Sequence, residues 1–144
     1  MPEMPTSTRK PWVRVAILAG LTYVVAGYGS AALDPFVPDG ARFGWRLAAW
    51  IVSALVFAAH IGHEHFRLED SPRAIALHSA AAVALGAFLL AAAATIHATT
   101  VASHAPYWRF FLALVLWPVI TAVPASLVAL IAATLLARLP RSPV

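Results

Sequence analysis

The chain has 144 residues, 61% of them apolar and only 11% charged, whereas soluble domains run at roughly 45–50% apolar and about 25% charged. That balance excludes a water-soluble core, and the length suits four bilayer-spanning helices of about 20 residues each, with no room for a separate extramembrane domain. The net charge of +4 comes from ten Lys and Arg placed at the ends of apolar runs, and cysteine is absent, which excludes a basic nucleic-acid face, disulfides, thiolate metal sites and cysteine nucleophiles.

Residues 1–11 are polar and carry three of the eleven prolines, the pattern of a flexible tail ahead of a single transmembrane domain over 12–139. From Val15 to Leu33 no residue is charged; at 1.5 Å per residue this run reaches about 28 Å, close to the hydrocarbon thickness, and is the first expected span. A rival reading makes it a cleaved signal peptide, with Arg9, Lys10 and Arg14 before the apolar run and Gly29-Ser30-Ala31 as the cleavage site. The prolines, aspartates and glycine of Asp34 to Gly40 then make the first loop.

The second span is expected over about 43–66, with Trp45 and Trp50 near an interface, and Leu68 to Arg73 turns the chain. The third, over about 73–101, is rich in alanine with Gly86 near its middle. Small side chains let helix backbones approach, so this helix belongs inside the bundle. After Ser103 to Pro106, Tyr107 and Trp108 open the fourth span over about 109–138, which contains Pro118 and Pro124, and residues 140–144 form a short tail. The prolines read as packing kinks whose freed carbonyls neighbours satisfy.

The expected fold is therefore all-α, a polytopic integral membrane four-helix bundle with short loops. Seven Lys and Arg (Arg9, Lys10, Arg14, Arg67, Arg73, Arg138, Arg141) lie on one side against three (Arg42, Arg46, Arg109) on the other. This bias places both termini in the cytoplasm, in a bacterial-type plasma membrane.

One constellation carries chemistry, His60-Ile-Gly-His63-Glu64-His65-Phe-Arg67 at the end of the second span. On a helical wheel His60, His63, Glu64 and Arg67 share a stripe that continues back through Ser53 to Arg46, while His65 points elsewhere. His78 follows Asp70 by eight residues and His60 precedes it by ten, so an antiparallel hairpin brings the two imidazoles to within a turn in depth. Buried ionisable groups in a membrane are costly and so point to function. His60 and His78 are the candidate ligands of a haem b, and His60, Glu64, His78 and His63 of a divalent metal such as Zn(II), Fe(II) or Mn(II).

Ala58, Ala59, Gly62, Ala80 and Ala81 would leave space for a flat macrocycle. The His-x-x-His-x-His spacing resembles the histidine boxes of membrane di-iron hydroxylases and desaturases, but those enzymes use several boxes and more histidines than the six present. The competing account makes His63, His65, Glu64 and Arg67 interfacial, with Glu64 paired to Arg67 or Arg73 and His97 and His104 at the opposite face. Asp34 and Asp39 are expected to pair with Arg42 or Arg46, and Thr95, Thr99 and Thr100 to bond back to their own helix.

With no strong catalytic motif, the leading functional expectation is an accessory or scaffold subunit that packs in the lipid bilayer against other membrane proteins or copies of itself. A stripe of small residues on the outside of the bundle is its expected mark. The alternative is a haem- or metal-binding membrane protein for electron transfer, sensing or transport. A third class is a transporter or proton-coupled channel along the polar stripe of the second helix.

Overall fold

A computed structural model of the chain describes residues 11–100 and 106–139. The expected tails and the loop bearing His104 lie outside the described residues, apart from Pro11, which starts the first helix, and Pro106, which precedes the last. Among the described residues the fold is all-helical: α1 (Pro11–Leu33), α2 (Arg42–His63), α3 (Pro72–Thr100) and α4 (Tyr107–Leu136). Each belongs to a segment long and apolar enough to cross a membrane. Two short 3₁₀ turns, Asp34–Phe36 and Asp39–Ala41, join α1 to α2, and a π-helical turn, Glu64–Leu68, extends α2.

The helices do not pack in the order of the chain. α3 lies against α4 and α1, while α2 leans chiefly on α1 and meets α3 and α4 only lightly. The buried residues of α3 are mostly small, Ala76, Ser79, Ala82, Gly86, Ala87 and Ala91, with Ile75. Between helices in lipid, attraction comes from close van der Waals packing, which small residues permit.

α1 and α3 approach each other closely at their crossing. A Cβ on Gly20 would stand 3.1 Å from the Ala82 carbonyl oxygen, and one on Gly86 would stand 3.1 Å from the Gly20 carbonyl oxygen and 3.0 Å from Tyr23 Cβ. Ala16 and Gly20 on α1, and Ala82 and Gly86 on α3, are each four apart and form one seam. Contacts of Gly20 with Leu85, Tyr23 with Gly86 and Gly27 with Leu90 advance together along both chains, so α1 and α3 are parallel.

Most large apolar side chains on α4 and on the outer faces of α1 and α2 are exposed, among them Leu18, Val25, Trp50, Leu55, Phe111, Val115, Ile120 and Ile131. Such a surface suits lipid and not water. Asp34 takes Arg46 at 2.8 and 3.2 Å through both carboxylate oxygens, and Asp39 takes Arg42 at 2.9 Å. Trp45 Nε1 donates to the Ser30 carbonyl at 3.1 Å and ties the end of α1 to the start of α2. Thr95, Thr99 and Thr100 donate to carbonyls of their own helix, the usual fate of hydroxyls in apolar helices. Pro118 and Pro124 both lie inside α4.

A buried carboxylate between two imidazoles

The end of α2 carries the polar centre. Here the helix widens into the π turn Glu64–Leu68, and the chain leaves it through Glu69, whose φ of 55° is left-handed. A backbone bond from Asp70 N to the Glu64 carbonyl, 3.3 Å, closes that turn in the manner of a helix C-cap. The wider closure of a π turn slows the rotation of side chains about the axis, so the neighbours Glu64 and His65 both end up buried.

Two expectations are corrected at this end of α2. His63 is exposed and stands apart from the cluster, although the wheel places it on the stripe. His65 is buried at 3% exposure, edge-on to Phe66, although the wheel turns it away. The wheel assumes a constant turn per residue, and the π turn, which begins after His63, breaks that constancy for His65.

Glu64 is fully buried and grips both candidate imidazoles. His60 Nε2 lies 3.0 Å from Oε1 and His78 Nδ1 lies 3.1 Å from Oε2. An ionised carboxylate only accepts, so in that state both facing ring nitrogens carry hydrogen and donate. Such charge-assisted bonds offset the large desolvation cost of a carboxylate in an apolar interior. Glu64 is paired to neither Arg67 nor Arg73, both of which are exposed.

Asp70, by sequence a residue of the turn Leu68 to Arg73, brings its Oδ2 to 3.8 Å from the same His78 Nδ1. One ligand atom each of Glu64, Asp70 and His78 all lie within 4.8 Å of one another. Trp12, from the first turn of α1, stacks flat on the His78 ring with centroids 4.1 Å apart and planes 2° from parallel. The only sequence clues were an acid eight residues before His78 and an aromatic in the first turn of a helix that runs parallel to α3.

The site lies near one end of the bundle, with His78 about 9 Å along α3 from Pro72 at 1.5 Å per residue. Ile61, Ile75, Ala129 and Ala133 pack together at this end, joining α2, α3 and α4. The exposed Arg14, Arg67, Arg73 and Arg138 mark the same end.

A haem does not fit these residues as they stand. Axial imidazoles must face one iron from opposite sides of the macrocycle, whereas here the Glu64 carboxylate stands between His60 and His78. Ala58, Ala59 and Ala81, expected to line space for a ring, are exposed on the outside of the helices. The polar stripe is likewise divided: Arg46 is held by Asp34, Ser53 bonds to the Ala49 carbonyl at 2.9 Å, and of its members His60 and Glu64 enter the cluster.

A small cation is a better match. Ligand atoms about 2.0–2.2 Å from a tetrahedral cation stand roughly 3–4 Å from each other; the two separations from His78 are 3.1 and 3.8 Å, and all three ligand atoms lie within 4.8 Å. No family model, no curated protein and no solved structure matches the chain.

Proposed function

We propose that the chain is a multi-pass membrane protein that holds a divalent transition-metal cation between Glu64, Asp70 and His78. The observation that carries this reading is the fully buried Glu64 carboxylate with Asp70 and His78 gathered around it. Two carboxylates and one neutral imidazole balance a double positive charge, which minimises the cost of burying the groups. One nitrogen with carboxylate oxygens suits Mn(II), Fe(II) or Zn(II). His60 then lies outside the ligand set and orients Glu64 through its Nε2–H, the role outer partners play at metal centres.

The excess of Lys and Arg at the site's end supports a cytoplasmic location for that end and for both termini, in a bacterial-type plasma membrane. The reading is tested by metal analysis of protein purified in detergent without chelators. About one equivalent of metal in the native chain, lost in Glu64→Gln, supports it, and metal-free native protein that also fails to bind added Zn(II) or Mn(II) removes it.

A second reading, an accessory subunit, has one observation in its favour. α2 is weakly packed against α3 and α4 and turns Gly44, Ala48, Ala58 and Ala59 outward, small residues of the kind that let another membrane helix approach. Because the chain has no cysteine, Ala48→Cys in native membranes gives a clean test. Disulfide-linked species are expected if a second copy covers this face, and monomer alone together with a monomeric native mass speaks against it.

A further inference from the structure

The two ends of the bundle treat their arginines differently. Where α1 joins α2, Asp39 takes Arg42 and Asp34 takes Arg46. At the other end Arg14, Arg67, Arg73 and Arg138 are all exposed, and among the described residues none is paired with a carboxylate. Glu64 and Asp70 turn to His78 instead, which leaves Glu69 as the one exposed acid of the described residues at this end. Four guanidiniums against one carboxylate make a net positive surface where the chain meets the headgroups, and anionic lipid is the counter-charge a membrane supplies there.

Arg138 differs from the other three in what lies beneath it. Ala129 and Ala133 turn into the core at this end, and Leu130, Ile131, Thr134, Leu135 and Arg138 line a groove open on the outer face of α4. From Leu130 to Arg138 the chain advances about 12 Å at 1.5 Å per residue, most of the roughly 15 Å hydrocarbon depth of one leaflet. The Thr134 hydroxyl donates to the Leu130 carbonyl of its own helix at 2.6 Å, so the groove below Arg138 presents apolar walls. An arginine lays its stem on such a surface and keeps its head at the interface, and its planar fork of N–H groups matches a phosphate. A cation above a leaflet-deep apolar groove has the polarity of a phospholipid, reversed in charge at the head.

We propose that an anionic phospholipid binds along α4, with one acyl chain in this groove and its phosphate on the Arg138 guanidinium, in preference to a zwitterionic lipid. Arg14, Arg67 and Arg73 enrich anionic lipid around this end, and Arg138 holds one molecule in place. Binding rests on the chain's place in a bilayer and needs neither the cation nor its ligands.

The test exploits the lack of cysteine in the chain. A bimane fluorophore on Leu127→Cys, one turn further into the bilayer than Ile131, reports on the groove, and the same label on Ala58→Cys reports on lipid beside α2. Both positions are exposed, so neither label disturbs the packing of the bundle. The labelled chains are reconstituted in phosphatidylcholine vesicles, and quenching by phosphatidylglycerol brominated in its acyl chains is compared with quenching by phosphatidylcholine brominated in the same way. In the Leu127→Cys chain the anionic lipid is expected to associate about fivefold more strongly, the size of one arginine's attraction to an anionic surface, against about twofold or less in the Ala58→Cys chain. Adding Arg138→Gln is expected to abolish the preference at the groove, and adding Arg14→Gln to leave most of it. An equal preference at the two labels, no preference at the groove, or equal losses from Arg138→Gln and Arg14→Gln overturn the site.

Discussion

Replacing Gly86 with alanine tests the packing that carries Trp12 to His78. The added methyl would sit 3.0 Å from Tyr23 Cβ and 3.1 Å from the Gly20 carbonyl oxygen. Neither is the loose end of a flexible side chain, so α1 must move off α3. Overpacking of this kind costs about 1–3 kcal/mol, against which the alanine recovers about 1 kcal/mol of helix propensity. At Gly62 and Gly29 the same substitution meets nothing within 4 Å, so only the propensity gain remains. Subtracting either control from Gly86→Ala cancels propensity and leaves about 1–3 kcal/mol, roughly a 5- to 150-fold change in the folding ratio. Reversible unfolding in mixed detergent–SDS micelles measures this difference. Equal stability of Gly86→Ala and Gly62→Ala would refute the close α1–α3 crossing, and with it the placement of Trp12 over His78.

Other expectations follow from the site. Glu69 is the one non-glycine residue with positive φ among the described residues, a conformation that costs an L-residue roughly 1–2 kcal/mol. Glu69→Gly should therefore raise stability by about 1 kcal/mol in the same micelle assay, and a loss of stability would count against the left-handed turn. His60→Ala should weaken Zn(II) or Mn(II) binding about 10–100-fold through the freed Glu64 carboxylate, with His63→Ala unchanged, as read by calorimetric titration. Equal effects of the two would disprove the division between buried and exposed histidine. In a chain keeping Trp12 and with the other four tryptophans changed to phenylalanine, Co(II) should quench emission saturably, and Glu64→Gln should abolish that quenching; an unquenched Trp12 in metal-loaded protein contradicts the stacking on His78.

The long apolar runs made four helices legible, because charge-free stretches of bilayer length have few other uses. The central position of α3 was legible in its alanines, and the pairing of Asp34 with Arg46 in their charges. The meeting of His60, Glu64 and His78 followed from counting residues on either side of Asp70, although α2 and α3 barely touch elsewhere. The parallel contact of α1 with α3 was written in the spacing of Ala16 with Gly20 and Ala82 with Gly86, but chain order suggests neighbours in a different sequence. The π turn, which holds the buried His65, was not legible, since one extra residue in a turn leaves no mark in an apolar pattern. Asp70 reaches His78 only because Glu69 adopts a left-handed conformation, which its residue type does not announce.

The most direct test of the cation site is the metal content of the native chain beside Glu64→Gln, both purified without chelators and then titrated with Zn(II) and Mn(II). The account predicts about one divalent cation per native chain and none in the variant at matched folding. A native chain that carries no metal and binds none, or a variant that binds as well as the native protein, contradicts it.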